Sequence, residues 1–404
     1  MSKRIKIAIV VSHPIQHFCP QYVSFAQNDQ VILRVFFASA MGYKKYMDPN
    51  FKQEVAWDNL QLDKFDHEFL NGEKVLQPDK NIDAGNLDNA LQLFNPELLI
   101  VYGYFQRLQR HAYKWATKNK VPLAYISDSE RRQQRGYAKE LLKYFFIKRY
   151  FSGISYFLSV GDANEAYYGH YGVPQAKILR MHFPVDISQY RPAYNERNAL
   201  RTAVRQQYGI SENEIVLTVV GKLVPWKNQD HIIQAMKLLE AENIYLHLFV
   251  LGSGEMQTAW QNEALSLTQS KVYFPGFVPA GKLPAFYAAT DIYVHPASVE
   301  PHSIAVSEAI YMGCPIIISD RCGSYGENDD VQEGKNGYIY PFGNITQLAA
   351  CIKMLVKDRG RLETFSTFSH KTGQQFQESA HITILQKLIN QLKGIEQTHE
   401  SYSL

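Results

Sequence analysis

The stretch EIVLTVVGKLVPWKNQDHIIQAMKLL, residues 214–239, decides the fold. Its opening, Glu214 to Gly221, is a short run of β-branched and apolar residues. The run breaks at Gly221 and Pro225, then gives way to a helical pattern in DHIIQAMKLL, residues 230–239. A near-continuous apolar strand followed by a helix is the unit of a parallel sheet covered on both faces. The unit recurs upstream, with IKIAIVVS at 5–12, ILRVFF at 32–37, ELLIVYG at 97–103 and PLAYIS at 122–127. Downstream it recurs as YLHLFVLG at 245–252, KVYFPG at 271–276, DIYVHP at 291–296 and PIIISD at 315–320. Between the two series lies RMHFPVDISQYRPAYNERN, residues 180–198, with two prolines and no sustained period. The pattern predicts two tandem Rossmann-like, doubly wound α/β domains with a cleft between them. The boundaries read as a first domain at 1–185, a linker at 186–198, a second domain at 199–394 and a frayed tail at 395–404.

Composition narrows the function classes. The 404 residues are 46% hydrophobic and 20% charged, which is the composition of a globular chain and not of a disordered one. Forty-two basic residues against 39 acidic give a net charge of +3, too small for a general nucleic-acid footprint. Cys19, Cys314, Cys322 and Cys351 form no CxxC pair and sit in apolar surroundings, so free thiols in a reducing cytoplasm are expected. The opening MSKRIKIAIVVSHPIQ reads as a first strand and not as a signal peptide. The longest apolar candidate, Tyr144 to Val160, is interrupted by Lys148 and Arg149, so no membrane span is expected.

Several loops carry residues suited to chemistry. In VVGKLVPWKN, Gly221, Lys222 and Lys227 follow a strand directly; two ammonium groups there suit a diphosphate, although solvated lysines on a loop are an alternative. The spacing is not that of a Walker loop. In HPASVEPHSIAVSEAIYMGCPIII, Pro301 suits the first position of a helix whose free N–H groups lie around His302, Ser303 and Ile304, an anion site. Glu300 and Glu308 would then stand about 12 Å apart along the helix and address different parts of a ligand, or act as a cap and a surface residue. The turns LGSGE, with Gly252, and FPGFVP, with Phe277 and Val278, serve loop geometry or a backbone cradle.

In the first domain, SHPIQHF places His13 and His17 after the opening strand. Pro14 stands where HExxH has its glutamate, so zinc is not expected; capping, packing, or contact with a phosphate or sugar remain. After PLAYIS comes Asp128-Ser129-Glu130, able to hold sugar hydroxyls, supply a general base or cap a helix. The segment 131–150, RRQQRGYAKELLKYFFIKRY, mixes basic residues with Tyr144, Phe145, Phe146 and Ile147. It reads either as a surface for an anionic membrane or as a core face backed by a solvated basic face.

Taken together, GKLVPWKN, LGSGE, VYFPGFVPAGKLPAFYAATDIYVHPASVEPHSIAVSEAIYMGCPIIISD and NGYIYPFGN resemble the retaining nucleotide-sugar glycosyltransferases of family four, which have the two-domain GT-B fold. The junction YGVPQAKILRMHFPVDISQYRP, residues 171–192, is similar as well. The resemblance implies that Lys222 and Lys227 neutralise a donor diphosphate, with the backbone of Ser303 and Ile304 on its phosphates. It implies further that Glu308 holds the ribose, Glu300 contacts the transferred sugar, and Phe277 and Val278 take the base. Gly221, Gly252 and His302 complete the donor group, and Glu300, Asp128 and His17 are the candidate catalytic residues.

No DxD-type carboxylate pair stands at a donor-side strand end, so transfer without metal or other cofactor is expected. The co-substrate would be a nucleotide diphosphate sugar, a UDP-sugar favoured over a GDP-sugar. The acceptor would be a hydroxyl of a glycan or lipid-linked glycan, at the cytoplasmic face of the membrane, in cell-surface polysaccharide or glycoconjugate synthesis, with retention of configuration. A nucleotide-sugar epimerase and an inactive nucleotide-sugar-binding protein are the alternatives.

Overall fold

The computed structural model describes residues 4–48, 53–57, 59–132 and 137–394. The first sheet contains β1 (Ile5–Val11), β2 (Val31–Phe37), β5 (His67–Phe69), β6 (Leu98–Tyr102), β7 (Leu123–Ile126), β8 (Tyr156–Ser159) and β9 (Ile178–Arg180), in the order β5-β2-β1-β6-β7-β8-β9. The second contains β10 (Val216–Val220), β11 (His247–Leu251), β12 (Lys271–Gly276), β13 (Ile292–His295), β14 (Ile316–Ser319) and β15 (Gly337–Tyr340), in the order β12-β11-β10-β13-β14-β15. Neighbouring strands in both sheets run parallel. A separate antiparallel hairpin joins β3 (Tyr46–Asp48) to β4 (Gln53–Val55).

The pleat explains why the strands are apolar on both sides. Ile5, Ile7, Ile9 and Val11 of β1 enter one core, while Ala8 and Val10 enter the core on the opposite face. In β10, Leu217 and Val219 pack with Ile232, Ile233, Met236 and Leu239 of the helix Asp230–Glu240, and Val216 turns to the other side. All four cysteines are buried free thiols.

In each sheet the order reverses at the first strand of the domain: β1 lies between β2 and β6, and β10 between β11 and β13. A reversal of this kind opens a crevice at the strands' carboxyl ends. The two crevices face one another, so the loops after β1 and β10 line one cleft. The exits of β10 and β11 need glycine. A Cβ on Gly252, at φ 145°, would stand 1.9 Å from the Gly221 carbonyl oxygen.

Two expected boundaries shift. The segment 186–198 is not an irregular linker: Ile187–Asn195 is helical, with Asp186 accepting the Ser188 N–H at 3.1 Å and Pro192 inside, and a second helix runs Arg197–Tyr208. Nor does the second domain extend to residue 394. After the helix Arg359–Gln374 and a π turn at Gln375–Ser379, the helix Ala380–Leu392 crosses back and packs Ile384, Leu385, Leu388 and Ile389 into the first-domain core beside β1. Gln377 fastens the crossing, accepting from Val185 N–H at 2.8 Å and donating to Phe183 C=O at 2.7 Å. The tail 395–404 lies outside the described residues.

Leu388 is fully buried in that first-domain core. Leu388→Ala is expected to cost about 2–5 kcal/mol in denaturant unfolding monitored on the whole chain. A loss within about 0.5 kcal/mol would mean that the helix does not dock on the first domain.

Candidate active site

A cavity of about 660 Å³ fills the cleft. That is ample for a small-molecule ligand. Its first-domain wall includes His17, Phe18, Tyr102, Ser127, Asp128 and Phe183; its second-domain wall includes Gly221, Lys222, Lys227, Glu300, His302, Ser303 and Ile304. A smaller cavity of about 170 Å³ shares Val220 and Gly221 with it and is lined by Leu251, Gly252, Phe277, Val278 and Leu283. The first domain adds Gln16 and Trp57 to the smaller one. The expected residues from the two domains therefore meet, with Glu308 the exception.

The loop after β10 turns at Gly221 and forms one 3-10 turn, Pro225–Lys227, ending on Asn228 in the left-handed region at φ 49°. This aims Lys227 inward, where its ammonium pairs with the Glu300 carboxylate. His295, at the end of β13, sits 3.3 Å from the same carboxylate. Burial pushes the Glu300 carboxyl up, but the His295 hydrogen bond and the Lys227 charge together outweigh it and hold the group at about 2. Glu300 is thus a half-buried, ionised carboxylate. Lys222 is engaged as well: its ammonium lies 3.2 Å from Asp48 of β3.

The helix after Glu300 begins later than the sequence predicts. Glu300 bridges in parallel to Cys322, and its carbonyl accepts the Gly323 N–H at 2.8 Å, which keeps the chain extended past Pro301. The helix runs Ile304–Tyr311 with Ser303 before it, and the Ser303 N–H donates to Ser324 Oγ at 2.7 Å. The N–H groups available to an anion therefore start at Ile304 and not at Ser303.

Glu308 falls outside both cavities. It points toward Tyr287, whose hydroxyl donates to it at 2.9 Å, and toward Tyr190 of the helix Ile187–Asn195. Burial raises its carboxyl to about 7 in spite of the neighbouring tyrosine hydroxyls.

His302 also lines the large cavity, yet its ring is held edge-on to Phe183 at 5.1 Å and its Nε2 lies 3.4 Å from Asp329. Burial pulls His302 down, but Asp329, Asp330 and Asp128 together carry it above the usual histidine value. Ligand-type atoms of His302, Asp329 and Asp330 lie within 4.8 Å of one another. Both carboxylates are already bonded by the chain. Asp329 accepts the Asp162 N–H at 2.6 Å and the Asp330 N–H at 2.8 Å, and Asp330 accepts the Ser307 hydroxyl at 2.5 Å. With Arg180 bonded to Asp162 at 2.5 Å and to the Asn328 carbonyl at 2.6 Å, the cluster works as a tie between the domains.

The first-domain candidates differ in proton affinity. Burial, and after it the neighbouring His13, holds His17 down to about 3, so it is a neutral hydrogen-bonding ring. Burial raises the Asp128 carboxyl, with Glu300 and Glu130 adding to the effect. Asp128 is thus the better proton acceptor of the two. Nothing in the sequence pointed to Asp48 and Trp57, which lie in a stretch with no chemical signal of its own, while Gln16 and Phe183 stood inside quoted segments without an assigned role. His295 stood inside a quoted segment without an assigned role.

Residues 201–372 match the family model for glycosyl transferases group 1, which covers most of the second domain. A glycosyltransferase of Methanocaldococcus jannaschii of uncharacterised activity is 31% identical over 140 residues, 34% of this chain and 35% of that protein. A GDP-mannose-dependent alpha-(1-6)-phosphatidylinositol monomannoside mannosyltransferase of Mycolicibacterium smegmatis is 26% identical over 196 residues, 46% of this chain and 49% of that protein. The chain thus spans half or less of these curated relatives. Among solved structures, Anabaena HepE in complex with UDP-glucose superposes with a TM-score of 0.66 at 17% identity, over 97% of this chain and 100% of that one. The fold is that of the two-domain GT-B glycosyltransferases.

Glu308 gives a pH signature. Its carboxyl rises to about 7 in the folded chain against 4.5 for the free group, so the folded state binds the extra proton between these values. Stability from this group is full below about pH 4.5 and declines as pH rises to about 7, by up to roughly 3 kcal/mol. Glu308→Gln is expected to remove that decline in urea titrations at pH 5 and pH 8; an unchanged slope would show that Glu308 is solvated.

Proposed function

We propose that this protein transfers a sugar from a nucleotide diphosphate sugar to a hydroxyl of a glycan or lipid-linked glycan. The observation that carries the reading is the convergence of Lys222, Lys227, Glu300 and the N-terminus of the helix Ile304–Tyr311 on one interdomain cavity. Support also comes from the group 1 glycosyl transferase match over the same domain. The diphosphate takes over the two ammonium groups, displacing Glu300 from Lys227, and the helix N–H groups from Ile304 onward face its oxygens. Glu300, freed and ionised, turns to the hydroxyls of the transferred sugar. His302, Ser303 and Gly221 shape the wall behind the phosphates; Gly252, Phe277 and Val278 receive the base. A UDP-sugar is favoured as the donor, the support being the structural relative solved with UDP-glucose.

Transfer proceeds with retention and without metal, the lysines supplying the charge that a metal would otherwise carry. The acceptor enters along the first-domain wall, where Asp128 accepts from a hydroxyl beside the reacting one; the reacting oxygen bonds to the sugar's anomeric carbon as the bond to the phosphate breaks, and its proton passes to the leaving phosphate oxygen on the same face. His17 contributes a neutral hydrogen bond to the acceptor.

The acceptor side favours work at an anionic membrane surface. Helix Tyr137–Ser152 buries Ile147, Tyr150 and Phe151 but exposes Leu141, Leu142, Phe145 and Phe146, beside exposed Lys148 and Arg149. Phe105, 66% exposed, extends the apolar patch near Tyr104, which touches Phe146. An apolar patch rimmed by cations fits a bilayer interface. Residues 133–136 of this basic stretch lie outside the described residues, and among those described no helix is long and apolar enough to cross a membrane.

Lys227→Ala should weaken calorimetric UDP binding by about 10- to 150-fold, with wild-type binding unchanged by EDTA. Undiminished binding in the variant would overturn the donor site, and loss of wild-type binding in EDTA would overturn the metal-free reading. Asp128→Ala should lower kcat about 100-fold by misplacing the acceptor while leaving donor affinity within about threefold. A Phe145→Ser, Phe146→Ser protein should stop sedimenting with anionic liposomes at low salt; retained sedimentation would remove the patch from membrane contact.

A further inference from the structure

Trp57 belongs to the first domain, yet it walls the small cavity at the exits of β10 and β11. It follows β4, and three contacts hold it. Its N–H donates to the Gly42 carbonyl at 2.9 Å, its ring meets Tyr46 edge-on at 6.2 Å, and its indole lies against Gly42. Gly42 has φ 87°, and a Cβ there would stand 2.1 Å from the indole. Met41, Tyr46 and Val55 form the small apolar cluster beneath. The same hairpin carries Asp48, only 4% exposed, whose carboxylate accepts the Tyr46 hydroxyl at 3.2 Å and pairs with Lys222 at 3.2 Å. One small first-domain element thus reaches the second domain's candidate donor site at two points: an aromatic wall beside Phe277 and Val278, and a carboxylate on a lysine.

We propose that Trp57 and Asp48 are donor-recognition residues, Trp57 packing on the nucleobase and Asp48 holding Lys222 until a diphosphate replaces it. The inference rests on the nucleotide-sugar reading above and deepens it, because base recognition then depends on both domains. An aromatic face stabilises any base by stacking. The Gly42 seat fixes where that face stands, and so how large a base fits against Phe277 and Val278. Asp48 carries charge of the same sign as the diphosphate, and its bond to Tyr46 keeps it beside the site after exchange. It therefore sets a threshold for donor binding: removing its charge tightens the site, whereas removing the indole loosens it for nucleotides only.

The test is calorimetric titration of the full chain with UDP and, separately, with inorganic pyrophosphate. Trp57→Ala should weaken UDP roughly 5- to 100-fold and leave pyrophosphate within about twofold. Trp57→Phe should restore most of the UDP affinity while abolishing any UDP-dependent change in fluorescence that comes from this tryptophan. Asp48→Asn should bind both ligands several-fold more tightly. If Trp57→Ala binds UDP like the wild type while Lys227→Ala does not, the donor site stands and the hairpin has no part in it. Equal losses for UDP and pyrophosphate in Trp57→Ala would overturn base recognition, and unchanged or weaker pyrophosphate binding in Asp48→Asn would overturn the role of Asp48. A wild-type protein that binds none of UDP, GDP or ADP would overturn the donor reading and this inference with it.

Discussion

Parallel strands leave a sheet on the same edge, and in this chain the two sheets turn those edges toward each other. Everything in the cleft follows from that constraint. The groups that meet there are loop backbones, helix N-termini and the few side chains that follow a strand, and none can be satisfied by strand pairing. Glycine at 221 and 252 lets two such loops approach to contact, and short turns then aim Lys222 and Lys227 inward. The charges in the cleft and beside it are half-buried and paired: Lys227 takes Glu300, Lys222 takes Asp48, and Arg180 takes Asp162 and Glu165.

Two kinds of tie join the domains. Arg180, Asp162, Asp329 and His302 join the domains through hydrogen bonds that no ligand needs to break. The Lys222–Asp48 pair also joins the domains, but it lies where an anion would compete for the ammonium group. The covalent crossing at Gln377 sits apart from both, at the back of the cleft, where the C-terminal helix returns to the first domain.

Charge and proton affinity also divide the site. Glu300 is kept ionised by His295 and Lys227, whereas Glu308, a few residues on, lies among tyrosine hydroxyls and is held close to neutrality by burial. Two glutamates on one short segment thus do different things. Asp128 and His17 differ in the same manner, burial raising the acid and lowering the imidazole. The first difference follows from what is packed around each glutamate; the second adds the opposite response of an acid and a base to the same burial.

The sequence by itself determined the strand-and-helix alternation, the two-domain architecture and the loops after β10, β11 and β13, because these depend on local pattern: apolar runs, glycine turns and lysines at a strand exit. It under-read β5, β9 and β15, whose three or four residues carry charged, histidine or glycine positions in place of a continuous apolar run. It placed the helix after Glu300 one turn early, because the bridge to Cys322 that holds Pro301 extended comes from a segment more than twenty residues away. Only the tertiary structure decided that the last helix belongs to the first domain, that Glu308 turns from the cleft, and that Trp57 and Asp48 face the second domain's lysine loop. The physical reason is common to all of these: a local pattern says which face of an element is apolar, but the partner of that face, and the charge balance of the cleft, are fixed only when distant segments meet.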